Sequence, residues 1–260
     1  MADPKELARL SRGERLRERL LRPFCGSIVG VRTAEKAIAL TFDDGPDPES
    51  TPQVLDALGA LGMRATFFLV GERAARHPGL VARIVAEGHE AGSHGWDHPS
   101  LPELAPAAVA EQIARTRAAL GAADARLLRP PYGHQSLATW RQARAAGYRV
   151  VMWNVAGGDW RADDGETLAA RIAAEAGAGA IVLLHDSLYS WERPEFRDRR
   201  PTIAALGILA GRLSGTRFLT VSELLALGPA DMRYWARRGK RTWLARQQSS
   251  PAASPEVASR

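Results

Sequence analysis

Ala37-Ile-Ala-Leu-Thr-Phe-Asp-Asp-Gly-Pro46 runs apolar or β-branched through Phe42 and then turns abruptly acidic. A run of that length and composition reads as a strand over 37–42 buried on both faces, as in a sheet wrapped by helices. Asp43 and Asp44 stand at its end. Side chains alternate along an extended backbone, so neighbouring aspartates diverge: one can bind a metal while the other faces a reacting group. Gly45 and Pro46 then force a turn.

Outward from this strand the same unit repeats. A helix capped by Ser50 or Thr51, with Pro52 in its first turn, runs to Leu61 and is halted by Gly62; a strand over 65–70 follows. Further helices are expected at 80–87, 106–120, 136–146, 167–176 and 202–213, and a last one capped by Ser222. Strands are expected at 89–93, 126–129, 148–154, 180–185 and 217–220. Alternation without a long antiparallel block calls for parallel strands wrapped by helices, closing as a barrel with its chemistry beyond the carboxyl ends of the strands.

With 260 residues, 45% hydrophobic and 25% charged, the chain can bury a full core as one domain, which excludes disorder throughout. Its single cysteine, Cys25, cannot form an internal disulfide. No segment has the apolar run of a signal-peptide core or a membrane span, so a cytoplasmic protein is expected. The net charge of +6 sits at the ends: residues 1–35 carry +3, residues 229–260 carry +5, and the body between carries −2. A nearly neutral body argues against a nucleic-acid groove, and no nucleic-acid partner is expected. Three parts are expected: a basic amphipathic segment at 1–35, with a leucine-bearing helix over 5–21; a catalytic domain at 36–228; and a basic extension at 229–260 ending in a disordered tail over 247–260. Arg233 to Arg246 interleaves six basic residues with Tyr234, Trp235 and Trp243. That pattern suits peripheral contact with an anionic membrane, or else a helix folded onto the barrel.

Polar clusters fall at the strand ends. His94 and His98, four apart after one strand, make with Asp43 or Asp44 a two-histidine, one-carboxylate set suited to Zn²⁺ and open to Co²⁺, Ni²⁺ or Mn²⁺. HExxH is absent, so the base must come from elsewhere. Arg129 opens RPPYG, Asp159 and Trp160 end GGDW, and His185 ends LLH.

In that order TFDDGP, HGWDH, RPPYG, the DW of GGDW and LLH closely resemble the five motifs of the NodB-type polysaccharide deacetylases, carbohydrate esterase family 4, over about residues 36–227. The resemblance implies a distorted, incompletely closed (β/α)7–8 barrel and a metal-dependent amide hydrolase that frees acetate and an amine from an N-acetylated amino sugar or glycan. It implies one divalent ion, Zn²⁺ first, on Asp44, His94 and His98, with Asp43 as general base tethered by Arg129. It makes His185 the general acid paired with Asp159 and Trp160 the aromatic wall beside it. Tyr132 lends a backbone N–H to the oxyanion, and Leu183 lines the acetyl pocket.

One departure is that Asn154 and Ala156 stand where the family often has a further aspartate. The loop after LLHD is long and aromatic; Tyr189, Trp191 and Phe196 either stack on sugar rings or pin the loop. Trp96, between the two histidines, is read as a core contact, and His134 as a loop histidine. The expected cytoplasmic setting favours a sugar intermediate or a lipid-linked glycan as substrate. Two other readings stand beside this one: a deacylase or deformylase of another small N-acyl substrate, and a non-catalytic basic adaptor whose binding would collapse with salt.

Overall fold

The structure, a computed structural model, describes residues 25–236 except 162 and 192, together with Leu16, Leu20 and Leu21. The amphipathic helix expected over 5–21 falls almost wholly outside the described residues, as do the tail and the basic stretch beyond residue 236.

Seven strands form one curled sheet: β2 (Ala37–Asp43), β3 (Ala65–Leu69), β4 (Glu90–Ser93), β5 (Asp124–Leu128), β6 (Arg149–Val150), β7 (Val155–Ala156) and β8 (Ile181–His185). Their order is β6-β5-β4-β3-β2-β8-β7, with β9 (Arg217–Phe218) pairing beside the start of β2, and every one of these pairings is parallel. Helices fill the crossovers: α1 (Thr51–Ala60), α2 (Gly71–Arg76), α3 (Pro78–Ala86), α4 (Pro106–Leu120), α5 (Leu137–Ala145), α6 (Gly165–Glu175), α7 (Arg200–Arg212) and α8 (Val221–Leu225). This is the distorted, incompletely closed (β/α) barrel that the motif resemblance implies.

All seven residues of β2 are buried because its two faces meet two different cores. Ile38, Leu40 and Phe42 pack outward with Val54, Leu55 and Leu58 of α1 and with Leu206 and Leu209 of α7. Ala37 and Ala39 face the inside of the curl, with Phe68, Leu127, Ile181 and Leu183. By the same alternation Thr41 and Asp43 belong to the inner face of β2, and Leu183 and His185 to the inner face of β8. Asp43 lies directly opposite His185 in the β2–β8 register.

The strand expected over 148–154 is two pieces on opposite edges of the sheet. β6 pairs with β5 and β7 pairs with β8, so residues 151–154 cross the opening of the barrel. There they meet β1 (Gly26–Val31): Met152 N–H donates to the Ile28 carbonyl at 2.7 Å, and Gly30 bridges to Ala180. β1 in turn pairs antiparallel with β10 (Ala230–Tyr234). The folded body thus takes in residues on both sides of the 36–228 span. Trp235, expected at a headgroup interface or against the barrel, is buried at 6% exposure, and its indole N–H donates to the Gly133 carbonyl at 2.9 Å. Its ring is thus part of the folded body.

One cap is corrected. α8 is capped by Thr220, not Ser222: Thr220 Oγ1 accepts from Glu223 N–H at 3.2 Å while the Glu223 carboxylate accepts from Thr220 N–H at 2.9 Å. Ser50 stands at the N-cap of α1 as expected but makes no side-chain cap hydrogen bond; Asp47 Oδ1 accepts from the N–H groups of Glu49 and Ser50 just ahead of the helix. Among the described residues no helix is long and apolar enough to cross a membrane.

Candidate active site

Asp43 ends the strand while Asp44 leaves it in the left-handed region at φ 76°, so both carboxylates come within 4 Å of His94 Nε2, Asp43 Oδ2 at 3.8 Å and Asp44 Oδ1 at 3.3 Å. Asp43 ends β2 on the inner face, where Arg129 reaches it. The Arg129 guanidinium is fully buried and donates to Asp43 Oδ1 at 2.8 Å, Thr41 Oγ1 at 2.7 Å, the Met152 carbonyl at 2.9 Å and the Val151 carbonyl at 3.3 Å. It also lies 4.2 Å from the centroid of the Phe68 ring. A buried charge with each side of its fork occupied holds one orientation. Asp43 Oδ2 is turned toward the histidines, 3.8 Å from His94 Nε2.

Asp44, His94 and His98 are all buried and bring one ligand atom each within 4.8 Å of one another. His94 Nδ1 lies 2.7 Å from the Arg129 carbonyl, which can only accept, so Nδ1 donates there, and Nε2 faces Asp44 Oδ1 3.3 Å away. His98 Nε2 approaches the same oxygen at 3.0 Å. Asp44 Oδ1 nevertheless has no hydrogen-bond partner. Burial alone would raise the Asp44 carboxyl, yet the His98 and His94 imidazoles hold it well below the usual carboxylate range. Burial pulls His98 down, toward the neutral form that ligates metals. An orphaned carboxylate oxygen faced by two imidazole nitrogens is a donor set that fits a divalent cation.

On the other side of Asp43 stands His185, its ring 12% exposed. Its Nδ1 lies 2.8 Å from Asp159 Oδ1, and its backbone N–H donates to Asp159 Oδ2 at 2.7 Å. Burial works against the charged imidazole, but Asp159, with smaller help from Asp44 and Asp43, overrides it and raises His185 to about 9. Trp160 meets the His185 ring edge to face, centroids 5.7 Å apart. Leu183 lies beneath it on the same strand face at 1% exposure. Tyr132 has left-handed backbone, φ 59°, and its ring packs on His98 at 4.3 Å between centroids.

Asp43, Asp44, His94, His98, Arg129, Tyr132, Asp159, Trp160, Leu183 and His185 thus lie around one center, and the structure adds several residues not foreseen. Arg199, buried in the RDRR run ahead of α7, donates to the Asp159 carbonyl at 3.0 Å, while Thr202 Oγ1 donates to Asp159 Oδ2 at 3.2 Å. Gln112 of α4 accepts from the Trp96 N–H at 2.6 Å and so fixes the loop between the two histidines. Trp96 packs under the Arg115 guanidinium, 4.0 Å from its ring centroid, in line with a packing role. Asn154 Oδ1 accepts from Ile181 N–H at 2.9 Å, a structural use of the position where the family often has an aspartate. Only residue type and neighbourhood to α7 and α4 could have pointed to Arg199 and Gln112; neither belongs to a motif. Of the loop aromatics, Tyr189 turns inward and stacks on His98 at 4.9 Å between centroids, whereas Trp191 stays 38% exposed.

A family model described as polysaccharide deacetylase matches residues 30–151. A peptidoglycan-N-acetylglucosamine deacetylase of Bacillus cereus is 39% identical over 197 residues, covering 74% of this chain and 89% of that protein. A chitooligosaccharide deacetylase of a Bradyrhizobium strain is 36% identical over 200 residues, 74% of this chain and 90% of that protein. Among solved structures, a family 4 carbohydrate esterase from Streptomyces lividans, in complex with acetate, superposes with a TM-score of 0.62 at 31% identity, covering 71% of this chain and 90% of that one. The identity, the coverage and the shared barrel agree with the motifs: the chain belongs to the polysaccharide deacetylase family, carbohydrate esterase family 4.

Proposed function

We propose that this polysaccharide deacetylase, a hydrolase of carbon–nitrogen bonds other than peptide bonds, removes N-acetyl groups from a glycan containing N-acetylglucosamine and uses a divalent ion to do so. The observation that carries this reading is the pairing, across adjacent strands, of an arginine-tethered carboxylate with an aspartate-paired imidazole, the carboxylate next to the buried Asp44, His94 and His98 set. Asp44 Oδ1 and the two Nε2 atoms would hold the ion, Zn²⁺ first by ligand type. When bound, such an ion supplies Lewis acidity toward a water and the acyl oxygen.

The remaining steps belong to the chain. Asp43, with Oδ1 engaged by Arg129 and Oδ2 facing the ligand set, accepts the proton of the attacking water. Tyr132, in its left-handed turn, offers a backbone N–H to the developing oxyanion. His185, charged through neutral pH, gives its proton to the nitrogen, without which an amine is a very poor leaving group. Trp160 holds the imidazole from one side and Leu183 supplies apolar surface for the acetyl methyl. Acetate and a free amino sugar leave.

Incubation of metal-loaded protein with N-acetylated sugars, chitooligosaccharides, peptidoglycan fragments and lipid-linked sugars, with assay of released acetate, tests this; no acetate from any of them would refute it. A cytoplasmic setting at an anionic membrane, with a lipid-linked substrate, is the further part of this reading. It now rests on the basic stretch beyond residue 236. Co-sedimentation with anionic vesicles, lost in a chain ending at Ala236, is its expected sign; the full chain staying in the supernatant at low salt would end it.

A further inference from the structure

Two of the three residues assigned to the ion sit in left-handed backbone, Asp44 at φ 76° and His98 at φ 57°. Non-glycine residues pay for that conformation, so something must hold it. One short loop touches both. Tyr189, four residues beyond His185, donates its backbone N–H to Asp44 Oδ2 at 2.8 Å. Its ring lies against the His98 imidazole with centroids 4.9 Å apart and planes 25° apart. The loop is itself braced from α2: the Tyr189 hydroxyl reaches Glu72 Oε1 at 3.1 Å, and the Arg73 guanidinium lies 5.1 Å from the Tyr189 ring centroid. Arg73 also donates to Ser187 Oγ at 2.7 Å and to the Asp44 carbonyl at 3.1 Å, tying the ligand's own backbone to the loop.

We propose that Tyr189, braced by Glu72 and Arg73, is a positioning residue that clamps Asp44 and His98 in ligating geometry and so sets how tightly, and for how long, the protein keeps its ion. The inference rests on the metal reading given above. The Asp44 carboxylate has two oxygens with separate tasks: Oδ1 is left for the ion, and Oδ2 is consumed by the Tyr189 N–H, which fixes the rotation of the group. The stacked ring does the same for His98, whose Nδ1 has no hydrogen-bond partner to orient it. His94 needs no such help because the Arg129 carbonyl already orients its ring. Partners of this kind, which orient ligands without ligating, change metal affinity by about 10- to 100-fold.

The test is metal retention. Full-length wild type, Tyr189→Ala, Tyr189→Phe and Arg73→Gln are loaded with Zn²⁺, and loss of Zn²⁺ to excess chelator is timed; thermal midpoints of the metal-free proteins are measured alongside. Wild type is expected to hold about one ion per chain. Tyr189→Ala, which removes the ring stacked on His98, and Arg73→Gln should lose Zn²⁺ about 10- to 100-fold faster, and Tyr189→Phe, which keeps the ring and gives up only the Glu72 hydrogen bond, should fall between Tyr189→Ala and wild type. Trp191→Ala, an exposed change in the same loop, should release at the wild-type rate. Metal-free Tyr189→Ala should melt with metal-free wild type; a metal-free midpoint depressed as far as the loaded one would make Tyr189 merely structural and overturn the clamp. Equal release from wild type and Tyr189→Ala would overturn it too. A wild type that binds no Zn²⁺ would instead bring down the metal reading on which the clamp rests.

Discussion

Replacing Asp159 with asparagine isolates the acid half of the proposed chemistry. The carboxylate takes two donors from His185, Nδ1–H at Oδ1 and the backbone N–H at Oδ2. An amide has one acceptor and one donor, so one of these contacts must break and leave a buried group unpaired, at about 1–3 kcal/mol. The larger effect is on the proton. His185 stands at about 9 against an ordinary 6.5, and at 12% exposure little solvent screens it. That gap is worth about 3 kcal/mol of preference for the charged ring. A cation at Asp44 would offset the share owed to Asp44 and Asp43, leaving Asp159 as the anion that sustains it. Without Asp159, burial dominates and the imidazole falls to its ordinary value or lower. At pH 7.5 the protonated fraction then drops from about 97% to about 10% or less.

Acetate release measured from pH 5.5 to 10 should show the alkaline limb of kcat moving from near 9 to below 7, with at least ~10-fold lost at pH 7.5 before any cost of misorientation. Carbon NMR of the His185 ring should move with it. The same charge stabilises the fold. Because the folded value lies above the unfolded one, this contribution is complete below about pH 6.5 and is lost as pH rises through about 9. Denaturant titrations at pH 6 and pH 9.5 should therefore differ more for wild type than for Asp159→Asn. An alkaline limb that stays near 9 in Asp159→Asn would refute the assignment of His185 as the acid held charged by Asp159.

Asp43→Asn should bind metal as wild type does yet lose about 10²- to 10⁴-fold in turnover, since an amide cannot accept the water proton; near-normal acetate release would show that the base lies elsewhere. His98→Ala should abolish stoichiometric metal binding while leaving the far-ultraviolet dichroism of the fold unchanged, as elemental analysis would show. Arg129→Leu strands the Asp43 carboxylate in the core and should cost about 3–5 kcal/mol in urea unfolding, with activity lost even where the chain still folds. Thr220→Ala removes the reciprocal cap of α8 and should cost about 1 kcal/mol with the active site untouched.

The residues around the candidate site were legible because each ends a local pattern. An apolar run stops at a polar residue in TFDDGP, RPPYG and LLHD, and Gly or Pro turns the chain in TFDDGP, HGWDH and RPPYG, so a few residues say that a strand has reached its carboxyl end. Strand ends of a parallel sheet converge on one rim, so side chains from distant parts of the chain meet there without any further instruction. Burial of both faces of β2 was readable for the same reason, since every residue before Asp43 is apolar or β-branched.

Tertiary structure alone decided what depends on partners far along the chain. Gly26 pairs with Tyr234, and nothing in either segment names the other. The run over 148–154 looks like one strand because its residues suit a strand throughout, but the open barrel gives its two halves different neighbours and its middle crosses the gap against β1. Trp235, in a basic aromatic stretch, has the composition of a membrane contact; only the proximity of Gly133 and Trp153, 5.2 Å away between ring centroids, turns it into core. Tyr189 is the sharpest case. An aromatic in a loop beside a glycan site has two equally physical uses, and the choice was made by where α2 placed Glu72 and Arg73 and by the left-handed turn that brought His98 beneath its ring. Local chemistry marks what a residue can do; the packing of remote elements selects which of those things it does.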